Sequence, residues 1–302
     1  MKKLRVVVSL PNDNAYQHAQ GLAAKTTAQS LGIQVDLLHA QDDSITQSQQ
    51  LLEIIQGSGA ERPDAFVVEP VTAAGLPRVA EAAVQAGIAW VISNSEVDYV
   101  NRLRSNPQVP VFTVTQGQGE IGRLQGRQLS ALLPRGGSVL MIEGPGMSSV
   151  AAQRRAGVDG VKPRGTQITS VRSKWSEDSA CQSVNAWLRL ATSRAEKFDL
   201  IAGQTHELAL GARKALQMVE DAEQKNRWMG LPFIGIGIAT QVKPLVDRGV
   251  LAAAVITSVT MELALRMVVR AIETRIQPPE RSVVEALSLP ELQKLVPKPT
   301  LA

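Results

Sequence analysis

The chain is predicted to be an α/β protein of two doubly wound parallel-sheet lobes. Three observations predict it. Short Val- and Ile-rich runs alternate with amphipathic helical stretches along most of the 302 residues, and continuous apolar strands of this kind belong to parallel sheets covered on both faces. The alternation runs twice through about five strand–helix units. No long Gly/Ser linker separates the two runs, so the connections between lobes are short.

The first cycle opens at residues 5–10 (RVVVSL), an apolar, β-branched run that Pro11-Asn12-Asp13-Asn14 breaks. Residues 15–31 place Tyr16, Ala19, Leu22, Ala23 and Thr26 at helical spacing before a Gly32 stop. Strands at 33–38, 65–68 and 88–93 alternate with helices at 45–55 and 73–86. The second cycle starts at Gln116. Its helices fall at 120–133, 149–161, 177–190, 207–218 and 240–247, and its strands at 138–142, 167–173, 199–202, 233–238 and 252–256. A long helix at 259–274 precedes a Pro-rich tail and is expected to return to the first lobe. The lobes are therefore placed at 1–115 plus about 258–282, and at 116–257 plus about 283–302.

Apolar residues make up 44% of the chain and aromatics 3%, so the cores must be built from Val, Ile, Leu and Ala. An aromatic residue in a loop then needs a reason. The net charge of +4 is scattered, and runs such as Arg154-Arg155 are too short for a nucleic-acid footprint, so no nucleic-acid partner is expected. The single cysteine, Cys181, excludes an internal disulfide and a cysteine metal cluster. His18, His39 and His206 lack metal-ligand spacing. The glycine clusters at 117–119 and 144–146 match neither a phosphate loop nor a dinucleotide fingerprint and read as tight turns. No nucleophile elbow is present. Neither metal, cofactor nor catalysis is expected.

No window approaches the ~20 consecutive apolar residues of a membrane span. Lys2-Lys3 is followed only by residues 4–10, interrupted by Arg5 and Ser9, with no small-residue cleavage site. As written, the chain is expected in the cytoplasm; as the trimmed form of a longer precursor, it would be periplasmic.

Open parallel sheets bind ligands beyond the carboxyl ends of their strands, at a topological switch point. That rule singles out residues 12–16, 69–70 and 94–96. His206, opening a helix after a strand, is a further candidate to line such a crevice.

Several segments together carry a resemblance: V-S-L-P-N-D-N-A-Y at 8–16, D-A-F-V-V-E-P at 64–70, A-G-I-A-W-V-I-S-N at 86–94, S-S-V-A-A-Q-R-R-A-G-V at 148–158, E-L-A-L-G-A-R-K-A-L at 207–216 and V-D-R-G-V-L-A-A-A-V at 246–255. From residue 6 to about 278 the chain resembles the periplasmic sugar-binding proteins typified by ribose-binding protein, a fold shared with the effector domains of LacI-type repressors. The resemblance implies a type I periplasmic-binding-protein-like receptor, a monomer whose lobes close on one small polar ligand without covalent chemistry. The ligand is a sugar, a sugar derivative or another metabolite, and the partner an ABC transporter permease or a sensor protein. The alternative is a cytosolic effector-sensing module without its DNA-binding headpiece.

The resemblance places Asn14 on an amide contact, Tyr16 and Trp175 on stacking aromatics, and Arg154 on a donor to ligand oxygens. Such a set suits a sugar, whose apolar face stacks and whose hydroxyls need fixed donors. The competing readings are a local core filler for Trp175 and an ion pair for Arg154. The chain departs from the family elsewhere. An Asp-Arg pair is replaced by Asn94-Ser95, an Asn-Asp pair by Thr205-His206, an Asp by Gly237 and the hinge glutamine by Thr257. Glu69, Asn94 and Glu96 are expected to compensate, or else to be solvated loop. With acids missing, ribose, glucose and galactose should bind poorly, and a deoxysugar, sugar acid or non-sugar metabolite better.

Overall fold

The computed structural model describes residues 3–57, 62–72, 74–105, 108–190 and 197–297. Ala73, the start expected for the third helix, lies outside them. The chain divides into two compact units, Met1–Gly117 with Val259–Val284, and Gln118–Ser258 with Glu285–Ala302.

The first unit runs β1 (Arg5–Leu10), α1 (Ala15–Leu31), β2 (Gln34–His39), α2 (Ser44–Gln56), β3 (Ala65–Val68), α3 (Pro77–Gln85), β4 (Ala89–Ser93), α4 (Val100–Arg104) and β5 (Val111–Thr115). The second runs α5 (Gln118–Leu132), β6 (Ser138–Glu143), α6 (Ser149–Asp159), β7 (Gln167–Arg172), α7 (Glu177–Leu188), β8 (Leu200–Gly203), α8 (His206–Gln217), α9 (Ala222–Met229), β9 (Phe233–Ile238), α10 (Ala239–Asp247) and β10 (Ala253–Thr257). The chain then adds α11 (Met261–Thr274) and β11 (Arg281–Val283) to the first unit, and β12 (Leu287–Leu289) to the second.

Each unit holds a six-stranded sheet, in the orders β11-β5-β4-β3-β1-β2 and β12-β10-β9-β8-β6-β7. All pairings are parallel except β10 with β12. The fold class is therefore the doubly wound α/β architecture. In the first sheet the order reverses between β1 and β3, and in the second between β6 and β8. Those two switch points fix where a ligand site can be built.

Local chemistry sets the elements. The β3, β4 and β5 strands are buried along their whole length, and each fully buried aliphatic side chain there contributes roughly 1.5–3 kcal/mol. Helix α1 is capped by Asn14, whose side chain accepts from Gln17 N at 2.9 Å, and is stopped by Gly32 at φ 66°. Ser148, Ser176 and Thr205 cap α6, α7 and α8 in the same way. Helices α5 and α6 meet backbone to backbone: a Cβ on Gly122 would collide with the Arg154 carbonyl oxygen, and one on Gly157 with the Gly119 carbonyl oxygen. Nine of the ten aromatics fill or pack on the cores: Phe66, Trp90, Tyr99 and Phe112 in the first unit, and Phe198, Trp228 and Phe233 with the partly buried Trp175 and Trp187 in the second.

The structure corrects several expectations. The inward face of α1 is formed by Gln17, Gln20, Gly21, Ala24, Thr27 and Ala28, one residue on from the expected stripe; Leu22 is exposed. Apolar periodicity misses this face because two glutamines point inward to bond buried polar groups, and Gly21 lets the helix close on Leu37. Helix α3 starts at Pro77, whose fixed φ suits a first helical position. The β5 strand with the preceding five-residue α4, the α9 helix, and the three-residue strands β11 and β12 were not anticipated. The last two are too short to show periodicity and exist through edge pairing.

Burial holds the Tyr99 hydroxyl above the usual phenol range; the neighbouring Trp90 opposes this and Asp98 adds to it. The folded state thus favours the neutral phenol. Its stability contribution is complete below the unfolded value of 10.0 and is lost as pH rises through the higher folded value. Denaturant midpoints measured from pH 8 to 12 should fall above about pH 10, with Tyr99→Phe falling less steeply. Parallel curves for the two proteins would reject this.

Candidate functional site

In the first unit, the carboxyl ends of β1, β3, β4 and β5 deliver side chains into one buried network. Glu69, just after β3, accepts through Oε1 from Gln17 Nε2 at 2.8 Å and from Asn94 Nδ2 at 2.9 Å. Asn94 Oδ1 accepts from Gln116 Nε2 at 3.1 Å, and that amide also donates to the Tyr16 hydroxyl at 2.6 Å. Gln20 Nε2 donates to the same hydroxyl at 2.9 Å and to Thr260 Oγ1 at 3.0 Å. The Tyr16 ring is thus tethered by its hydroxyl at the strand ends. Asn94 sits at φ 57°, a conformation that Asn tolerates better than most residues. Gln47 clamps the same corner, donating to Ser9 Oγ and the Glu69 carbonyl while accepting from Val71 N.

In the second unit, Arg154 is buried on α6 and turned inward. Its Nε donates to Gln118 Oε1 at 2.9 Å and its Nη1 to the Gln204 carbonyl at 2.6 Å. The next residue, Arg155, pairs with Glu143 at 2.5 Å and Asp159 at 2.7 Å. Partial burial pulls the Arg155 guanidinium down, but its hydrogen bonds to Glu143 and Asp159 outweigh this and leave it above its ordinary range. Gln204 fixes the loop after β6, accepting from Gly144 N at 3.0 Å and donating to the Ala151 carbonyl at 2.9 Å. Trp175 lies half-buried against that loop. A Cβ on Gly144 would collide with its indole, so the glycine is what allows the ring to lie there.

The site residues named from the sequence therefore divide. Tyr16, Glu69 and Asn94 share one network in the first unit. Asn14 stands beside them with its side chain engaged as the α1 cap. Glu96 lies outside it, paired with Arg281 at 2.5 Å. In the second unit Trp175, His206 and Gly237 stand at strand or helix ends, while Arg154 lies in the middle of α6 with its side chain buried. Thr205 is committed to capping α8, and Thr257 is buried at the end of β10. The sequence reading missed Gln17, Gln116, Gln118 and Gln204, which organise both clusters. Their only sequence signal is a glutamine on the core-facing side of a helix or directly after a strand.

A model of the periplasmic binding protein domain family matches residues 6–275. Among solved structures, the chain is similar to an ABC transporter solute binding protein of Bacillus halodurans with bound myo-inositol, at 19% identity over 95% of this chain and 94% of that one, with a TM-score of 0.79. It is similar to a periplasmic solute binding protein of Actinobacillus succinogenes with bound D-allose, at 16% identity over 97% and 99%, TM-score 0.79. It is also similar to the Caulobacter myo-inositol binding protein, at 20% identity over 94% and 92%, TM-score 0.79. At such identities the likeness shows the fold alone. No curated sequence matches the chain significantly.

Removing the Gln204 side chain should orphan the buried Gly144 N–H and loosen the loop under Trp175. Gln204→Ala is expected to lower stability by about 1–3 kcal/mol. Gln204→Glu should not restore it, because a carboxylate cannot donate to the Ala151 carbonyl. Unchanged denaturation midpoints for both variants would reject the assignment.

Proposed function

We propose, because the chain belongs to the periplasmic binding protein domain family, that it is a receptor holding one small polyhydroxylated solute reversibly and delivering it unaltered to an ABC-type transporter. The observation that carries this reading is the make-up of the strand ends. Each unit presents buried carboxamides there, beside Tyr16 in the first and the half-buried Trp175, at the edge of its core, in the second. A carboxamide both donates and accepts, which complements hydroxyls of either sense. Tyr16 and Trp175 offer faces for the C–H side of a ring. The solutes held by the relatives, myo-inositol and D-allose, are of this class. A periplasmic working location follows from the same reading. Among the described residues no helix is long and apolar enough to cross a membrane.

A thermal-shift panel of myo-inositol, D-allose, ribose, glucose, galactose and galacturonate tests the proposal. At about 100 times the dissociation constant a true ligand adds roughly 2.7 kcal/mol of stability. A cyclitol or modified sugar should raise the melting temperature more than ribose, glucose or galactose do, and should be recovered chemically unchanged. No stabilisation by any of the six, or conversion of the bound compound, would overturn it. For the solute that stabilises most, Trp175→Ala should weaken binding by about 2–4 kcal/mol with the fold intact. Equal affinity in titration calorimetry would remove Trp175 from the site.

A further inference from the structure

His206 opens α8 directly after its cap, beside the carboxyl end of β8, and is 8% exposed. Two glycines of β9 receive it. A Cβ on Gly235 would stand 2.9 Å from His206 Cα, and one on Gly237 would stand 2.6 Å from Nδ1 and 2.8 Å from Val242 Cγ1. Neither glycine has a positive φ, so the backbone does not demand glycine at either position. Glycine inside a strand weakens it and marks a close approach by another group. At position 237 that group is the imidazole, which occupies the space a side chain would fill at the end of β9.

Nδ1 is buried with no hydrogen-bond partner among the described residues and lies 3.0 Å from Glu207 Oε2. In the tautomer that carries its proton on Nδ1, facing this carboxylate, Nε2 is an acceptor. We propose that His206 Nε2 accepts a hydrogen bond from a solute hydroxyl, and that Gly237 acts as a specificity-determining position by reserving the space for the ring. The proposal rests on the solute-receptor reading and deepens it. The second unit then selects a donating hydroxyl at this point through a neutral acceptor rather than a carboxylate.

The test is a double-mutant cycle with the panel solute that stabilises the wild-type protein most, read by titration calorimetry and by melting temperature without solute. His206→Ala should weaken binding about tenfold, the loss of one hydrogen bond at a buried site. Gly237→Ala should weaken it at least about tenfold in the wild-type background, by displacing the ring, and less than about twofold in the His206→Ala background. The same coupling should appear in the solute-free melting temperatures. A monodeoxy analogue lacking the contacted hydroxyl should bind wild type more weakly and His206→Ala equally. If wild type binds a panel solute but His206→Ala binds it as tightly, or the two substitutions are additive, the proposal falls and the receptor reading stands. If wild type binds none of the six, the receptor reading falls and takes the proposal with it.

Discussion

Both units depend on how a parallel sheet buried on two faces disposes of polar backbone at its carboxyl edge. Along the strands each N–H and C=O finds a ladder partner, but the loops leaving the strands do not, and buried orphans cost about 1–3 kcal/mol each. This chain meets the requirement with glutamine. Gln47 serves the loop after β3, Gln125 the Gly203 carbonyl that ends β8, and Gln204 the loop after β6. One carboxamide can satisfy a donor and an acceptor at once without bringing in a charge, whose burial would be far more costly.

That device also shapes the chemistry presented at the strand ends. Glu69 and Arg154 are buried ionisable groups of these clusters that bond to neutral groups: two amides donate to Glu69, and Arg154 donates to an amide oxygen and a backbone carbonyl. The placement of Arg154 follows from steps further back. Glycines at 122 and 157 let α5 and α6 touch, which brings the first residue of α5, Gln118, to the guanidinium. Small residues in helix interiors thus decide where a donor points.

The architecture was legible in the sequence because it is written in local and repeated signals. The RVVVSL run, the Asn14 cap and the Gly32 stop identify β1 and α1 without any tertiary information. The inward face of α1 was not legible. Its burial is decided by Gln17 meeting Glu69 and Gln20 meeting Thr260, residues 52 and 240 positions away, and a hydrophobic stripe reads amides as surface. The same nonlocality hid the partnership of Gly237 with His206. The scarcity of aromatics was a partial guide: nine of the ten lie in or against the cores, Trp175 at the edge of one, and Tyr16 is left outside them at the strand ends.

A strand-end surface built this way is suited to reversible holding more than to chemistry. Its side chains are already bonded to one another, so little rotamer freedom is lost when a solute arrives, and that loss is a main cost of association. Each hydroxyl bonded to an amide contributes only about 0.5–1.5 kcal/mol net, so affinity must come from several such bonds acting together with ring stacking. Uniform, modest contacts of this sort stabilise a bound ground state. Binding that is equally strong throughout a reaction coordinate accelerates nothing, so contacts of this kind serve holding.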